Sequence, residues 1–180
     1  MERIKLATVW LGGCSGCHMS FLDLDEWLFD LAHQVDLVYS PFVDVKEYPQ
    51  GVDVVLVEGA IANQDHWAMI QTVRARSRLL VSFGDCAVTG NVTALRNPGG
   101  SAESVLQRCY IEAADLNGQI PQAPGIVPPL LERVTPVHTV VAVDVYLPGC
   151  PPAADCIRAV LEPLLAGKMP HLEGTQIKFG

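Results

Sequence analysis

Residues Ile4–Leu31 read IKLATVWLGGCSGCHMSFLDLDEWLFDL. Ile4–Val9 is a short apolar run, partly β-branched, the pattern of a buried strand. A loop with Gly12, Gly13 and Gly16 around Cys14 and Cys17 follows it. Phe21, Leu24, Leu28 and Leu31 then recur at helical spacing, and Leu22 and Trp27 widen that apolar face. Asp23, Asp25, Glu26 and Asp30 give it a polar side, with acids in the early turns where the helix dipole favours them.

The same alternation continues outward. Val35–Tyr39 reads as a second strand and Asp53–Val57 as a third, its continuous apolar character fitting a parallel strand covered on both faces. A helix is predicted over about 64–76, and Arg78–Phe83 is a fourth strand ending in Gly84. Ser101–Ala113 reads as helix. The stretch from Asn117 to Pro136 holds five prolines and cannot be regular throughout. Thr139–Leu147 is the fifth strand, and Ala153–Leu165 a last helix ended by Gly167 and Pro170. Strands alternating with helices predict an α/β fold, a flavodoxin-like, mostly parallel five-stranded sheet flanked by helices in the order 2-1-3-4-5. Residues 1–180 are expected to form one domain with a proline-rich loop at about 117–137.

The composition narrows the function classes. Hydrophobic residues make up 49% of the chain and charged residues 18%, which fits either apolar surface covered by a partner or a compact core with a modest surface. The formal charge is −8 with no basic run, so no nucleic-acid footprint is present. No apolar run reaches the roughly 18 residues of a membrane span. The start MERIKLATVW lacks the regions of a signal peptide. A cytoplasmic location is therefore expected, with thiols reduced and the six cysteines not paired as a disulfide framework.

"CSGCH" over Cys14–His18 matches the pattern of covalent haem attachment, and its C-x-x-C also suits a zinc half-site, a redox dithiol or half of an iron–sulfur site. Haem is attached to such a motif outside the cytoplasm, which weighs against the first reading. The placement of the cysteines along the chain decides among the rest. Cys14 and Cys17 follow strand one, Cys86 follows strand four in "SFGDCAVTGN", and Cys150 follows strand five in "YLPGCPP". Parallel strands bring their C-terminal ends to one edge, where open α/β sheets bind ligands. The four thiols therefore form a candidate Cys₄ site. Gly84 and Gly149 join the earlier glycines in letting backbone pass close to an inorganic group, and Pro151 and Pro152 stiffen the last loop. A structural zinc site usually uses two C-x₂-C knuckles, whereas one knuckle and two solitary cysteines suit a [4Fe–4S] cluster. A thioredoxin-like dithiol leaves Cys86 and Cys150 unexplained. The bland alternative is four buried thiols with glycines serving only the turns.

"VWLGGCSGCHMSFLDLDEWL", "VEGAI", "FGDCAVTGN" and "LPGCPP", in this order, resemble the small subunit of [NiFe] hydrogenases, most of all the short cytoplasmic form of NAD-reducing (bidirectional) hydrogenases. The resemblance runs from Trp10 to the helix after Pro152. It implies that Cys14, Cys17, Cys86 and Cys150 ligate one proximal [4Fe–4S] cluster, and that this electron-transfer subunit carries no catalytic residue of its own. It also implies a NiFe centre on a large subunit and a diaphorase module whose iron–sulfur clusters and FMN pass electrons to NAD. Only Cys109 and Cys156 remain, so a single cluster is expected here. Many family members carry an acid, linked to proton transfer, two positions after the second knuckle cysteine; this sequence has Met19. Glu58, in "VEGAI", is either a proton-bearing or partner-contacting group or a strand-end carboxylate satisfied by loop amides.

Related alternatives are a cluster subunit like that of respiratory complex I, whose first motif has adjacent cysteines, and an FMN-binding flavodoxin-like module, whose phosphate loop would want Ser and Thr hydroxyls. A zinc-stabilised interaction module is a third. Cys109 and Cys156 lie in helical stretches and read as packing thiols. His18 either ligates or hydrogen-bonds near the cluster or, as a histidine at a helix start more often does, lies partly exposed or capping. His33, His66, His138 and His171 show no ligand spacing. Ile120, Ile126, Val127, Leu130 and Leu131 suggest that the proline-rich stretch is covered, as a loop docking on a partner. Trp10 packs at the cluster or partner side, or simply ends the strand in the core.

Overall fold

The computed structural model describes residues 3–180. In chain order, β1 (Ile4–Trp10) leads into α1 (Gly16–Leu22) and α2 (Trp27–Gln34), then β2 (Val35–Tyr39) and β3 (Val52–Glu58). A short β4 (Ile61–Asn63) precedes α3 (Gln64–Arg76) and β5 (Ser77–Phe83). The small helix α4 (Asp85–Thr89), a 3₁₀ segment (Asn91–Gly99) and α5 (Ala102–Gln107) follow, then β6 (Leu130–Thr135), β7 (Val145–Leu147) and α6 (Ala154–Leu165).

β2-β1-β3-β5-β7 form a five-stranded sheet in which every pairing is parallel. Taking these five strands alone, their order is 2-1-3-4-5, as expected. Leu6, Val54, Leu56, Val81, Phe83 and Leu147 bury one face against α1, α2 and α6. Ala7, Val9, Val55, Val57 and Leu80 bury the other against α3 and the segment around Val137. That double cover explains why β3 reads as an unbroken apolar run: only Asp53 in it is not fully buried. Among the described residues, no helix is long and apolar enough to cross a membrane.

Three elements differ from the sequence reading. The predicted helix after the cysteine loop is broken into α1 and α2 by turn residues 23–26, where Asp25 has φ 48°. Asp23, Asp25 and Glu26 sit in that break, and only Asp30 lies in the first turn of α2. Strand five begins at Val145, not Thr139. Residues 137–139 form a 3₁₀ turn, and Val140, Val141 and Val143 pack on the sheet face instead of joining the sheet. Helix 101–113 is α5 continued by a single π turn over Arg108–Glu112. β4 and β6 pair antiparallel outside the main sheet. β6 arises inside the proline-rich stretch, the rest of which is irregular, and Ile126 there is 82% exposed.

Candidate metal centre

The site is built on one row of residues. Trp10 pairs with Glu58, Glu58 with Phe83, and Phe83 with Leu147, so four strands end level at the same edge. Neighbouring strands lie about 4.8 Å apart, which puts the loops that follow within a few residues' reach of one another. The loops after β1 and β7 carry Cys14 and Cys150, while Cys86 lies in α4 directly after β5 and Cys17 in the first turn of α1.

The cysteine loop after β1 is anchored from below. Leu11 N–H donates to Glu58 O at 2.8 Å, and Gly12 and Ala60 exchange two backbone hydrogen bonds at 2.9 and 2.8 Å. Gly59 has φ 93°, and a Cβ there would lie 2.9 Å from Gly12 backbone atoms, so only glycine allows this approach. Trp10 is half exposed, and its indole N–H donates to Gly13 O at 3.1 Å, closing the loop from the side. It therefore neither joins the core nor simply ends the strand.

The second and third loops meet across β5 and β7. Gly84 N–H donates to Leu147 O at 2.8 Å, and Asp85 N–H to Gly149 O at 2.9 Å. At Gly84, with φ 83°, a Cβ would fall 2.1 Å from Cys17 Sγ. The Cys17 sulfur thus occupies space in the Cys86 loop that any side chain would take.

Cys17 is buried, Cys86 half-buried, and Cys14 and Cys150 exposed. Burial pushes the Cys17 thiol far up, and the charge of Glu58 and then of Cys86, Cys14 and Cys150 adds to that. Burial also raises Cys86, opposed by its hydrogen bonds to Thr93 and reinforced by Cys150 and Cys14. The four thiols therefore share one electrostatic neighbourhood. Among the described residues, no three His, Cys, Asp or Glu side chains are gathered tightly enough to hold a single metal ion. A proton on Cys17 is the form this pocket favours without a metal, and a cationic group binding thiolate would displace it. Four sulfurs with a glycine cradle fit a thiolate-ligated iron–sulfur cluster.

Glu58 and His18 differ from expectation. His18 is buried, not partly exposed. Glu58 is also buried; it accepts from His18 N–H at 3.0 Å and contacts the His18 ring at Nδ1. Its carboxylate is met by an α1 amide and the imidazole and not by loop amides, and its burial leaves it no surface for a partner. Met19 is exposed. Cys109 is exposed in the π turn and Cys156 half-buried against the core, so packing describes Cys156 better than Cys109. Two residues that tie the loops together were not singled out from sequence. Ser20 Oγ donates to Pro152 O at 2.6 Å, and Thr93 Oγ1 to Gly12 O at 2.8 Å. Ser20 lies three residues after Cys17 on the same helix, a spacing that puts it on the face of the site.

The chain is similar to known proteins over most of its length. The family model described as NADH ubiquinone oxidoreductase, 20 Kd subunit, matches residues 14–164. The chain is 37% identical over 172 residues to the delta subunit of the NAD-reducing hydrogenase HoxS of Cupriavidus necator, covering 92% of this chain and 80% of that one. It is 38% identical over 184 residues to a subunit of the F420-non-reducing hydrogenase of Methanothermobacter marburgensis, but covers only 58% of its length. A chain in the crystal structure of an NAD+-reducing [NiFe]-hydrogenase in the H2-reduced state superimposes with a TM-score of 0.94 at 38% identity, covering 99% of this chain and all of the other. A Dm. baculatum [NiFeSe]-hydrogenase chain shares the fold, with a TM-score of 0.56 at 19% identity over 96% of this chain and 68% of that one.

Proposed function

The chain belongs to the NADH ubiquinone oxidoreductase 20 Kd subunit family, and from that premise we propose that it is the electron-transfer subunit of a cytoplasmic NAD-reducing [NiFe] hydrogenase. Cys14, Cys17, Cys86 and Cys150 would hold one [4Fe–4S] cluster. When bound, that cluster supplies one-electron transfer between a NiFe centre on a partner large subunit and the iron–sulfur and flavin subunits of a diaphorase module that reduces NAD.

The remaining chemistry belongs to the chain. The level strand ends set the loops side by side, and Gly84 leaves room for the Cys17 sulfur. Burial of Cys17 and of the Glu58–His18 pair keeps water from that side of the site, while Cys14 and Cys150 are exposed, on the side that a partner would cover. The proline-rich loop, with Ile126 exposed, is a second surface such a partner would cover.

The observation that carries this reading is the convergence of four cysteines from three strand ends on one edge, with Cys17 Sγ in the space at Gly84. The hydrogenase reading stands ahead of a complex I-like one because Cys14 and Cys17 are separated by two residues and the relatives are hydrogenase subunits. The test is hydrogen-dependent NAD reduction by the anaerobically purified complex, with its co-purifying polypeptides identified. Cys150→Ser should abolish the activity and Cys109→Ala should preserve it. Full activity in Cys150→Ser would remove the ligand assignment.

A further inference from the structure

We propose that Asp85 is a positioning residue for the cluster, clamping the two solitary cysteine ligands to one another and placing a fixed negative charge beside them. The inference rests on the cluster reading above. Asp85 directly precedes Cys86, and Gly149 directly precedes Cys150. The two residues are joined twice: Asp85 N–H donates to Gly149 O at 2.9 Å, and Gly149 N–H donates to Asp85 Oδ1 at 2.6 Å. The pair thus continues the β5–β7 ladder past Phe83 and Leu147 using a side chain where the backbone has turned away. Asp85 Oδ2 accepts from Gly180 N–H at 3.0 Å, which draws residue 180 against Cys150 as well.

Asp85 is only 3% exposed. Among the described residues its oxygens meet backbone N–H donors and no cationic side chain. A carboxylate suits two N–H donors because both of its oxygens accept. An asparagine could satisfy one donor while turning its own NH₂ toward the other. Beside a redox group, a fixed negative charge disfavours the added electron and lowers the potential, and the polar groups behind metal ligands govern how firmly the metal is held.

The experiment uses the assembled, anaerobically purified complex. The EPR signal that disappears in Cys150→Ser identifies the cluster of this chain. In Asp85→Asn that signal should titrate at a more positive potential than in wild type. A ferrous chelator should also remove its iron about 10–100-fold faster. Should Asp85→Asn fail to fold, Asp85→Glu is read instead. It keeps the charge on a longer arm, so faster iron loss and an altered line shape are expected. A folded Asp85→Asn with wild-type potential and iron retention overturns the inference, as does an Asp85→Glu indistinguishable from wild type, or failure of both variants to fold. If no signal disappears in Cys150→Ser, the cluster reading itself falls. A signal present but unmoved by Asp85→Asn removes this inference alone.

Discussion

Cys17 Sγ lies where Gly84 would carry a side chain: an ideal Cβ on Gly84 falls 2.1 Å from that sulfur. The contact joins the first turn of α1 to the end of β5. Gly84 also has φ 83° and ψ 162°, a conformation essentially reserved for glycine. Gly84→Ala should cost about 1–3 kcal/mol in backbone strain and should push Cys17 out of place. Iron per chain in the purified variant is then expected well below wild type, even in the fraction that folds. Full iron content would mean that Cys17 is free to sit elsewhere.

Glu58→Ala removes the acceptor of the buried His18 N–H and the partner of its ring. A buried donor left unsatisfied costs about 1–3 kcal/mol. Chemical denaturation should register a loss of that size, and a variant as stable as wild type would show that water replaces the carboxylate without penalty.

Alkaline titration should destabilise the chain through Tyr48. This buried phenol donates to or accepts from Ser77 Oγ at 2.6 Å, and burial raises it from the ordinary 10.0 to about 12. A group whose ionisation is suppressed by folding contributes stability that is complete below its unfolded value and is lost as pH rises through the folded one. Unfolding free energy should therefore decline between about pH 10 and about pH 12. Tyr48→Phe should flatten that decline at the expense of one hydrogen bond. An unchanged slope would place the alkaline sensitivity elsewhere.

Hydrogen exchange should distinguish the proline-rich loop in the free and assembled chain. Residues 116–129 contain no helix or strand, and Leu116 and Ile126 are exposed apolar side chains within them. Slower exchange on assembly is expected from a partner that covers them; equally fast exchange in both states would exclude docking there.

Most of the sheet was legible because its strands obey a simple rule. β3 and β5 are buried on both faces and so read as apolar runs. Cys14, Cys17 and Cys86 could be placed for the same reason, since each follows such a run, while Cys150 follows the short, half-exposed β7. What escaped prediction came from longer-range contacts. Val140, Val141 and Val143 are as apolar as a strand but cover the sheet face. β4 and β6 are too short to show a period, and they find each other across 67 residues, from Asn63 to Leu130. The burial of His18 depends on Glu58, forty positions away. Asp85 stood in view inside "FGDCAVTGN", yet its role emerges only when Gly149 is placed beside it.

The cluster reading meets its most direct test in the metal content of the anaerobically purified chain. Iron and acid-labile sulfide at roughly four each per chain, with an EPR signal after reduction, are expected for a single [4Fe–4S] group. Zinc without iron, or FMN alone, would contradict the assignment of Cys14, Cys17, Cys86 and Cys150 as its ligands.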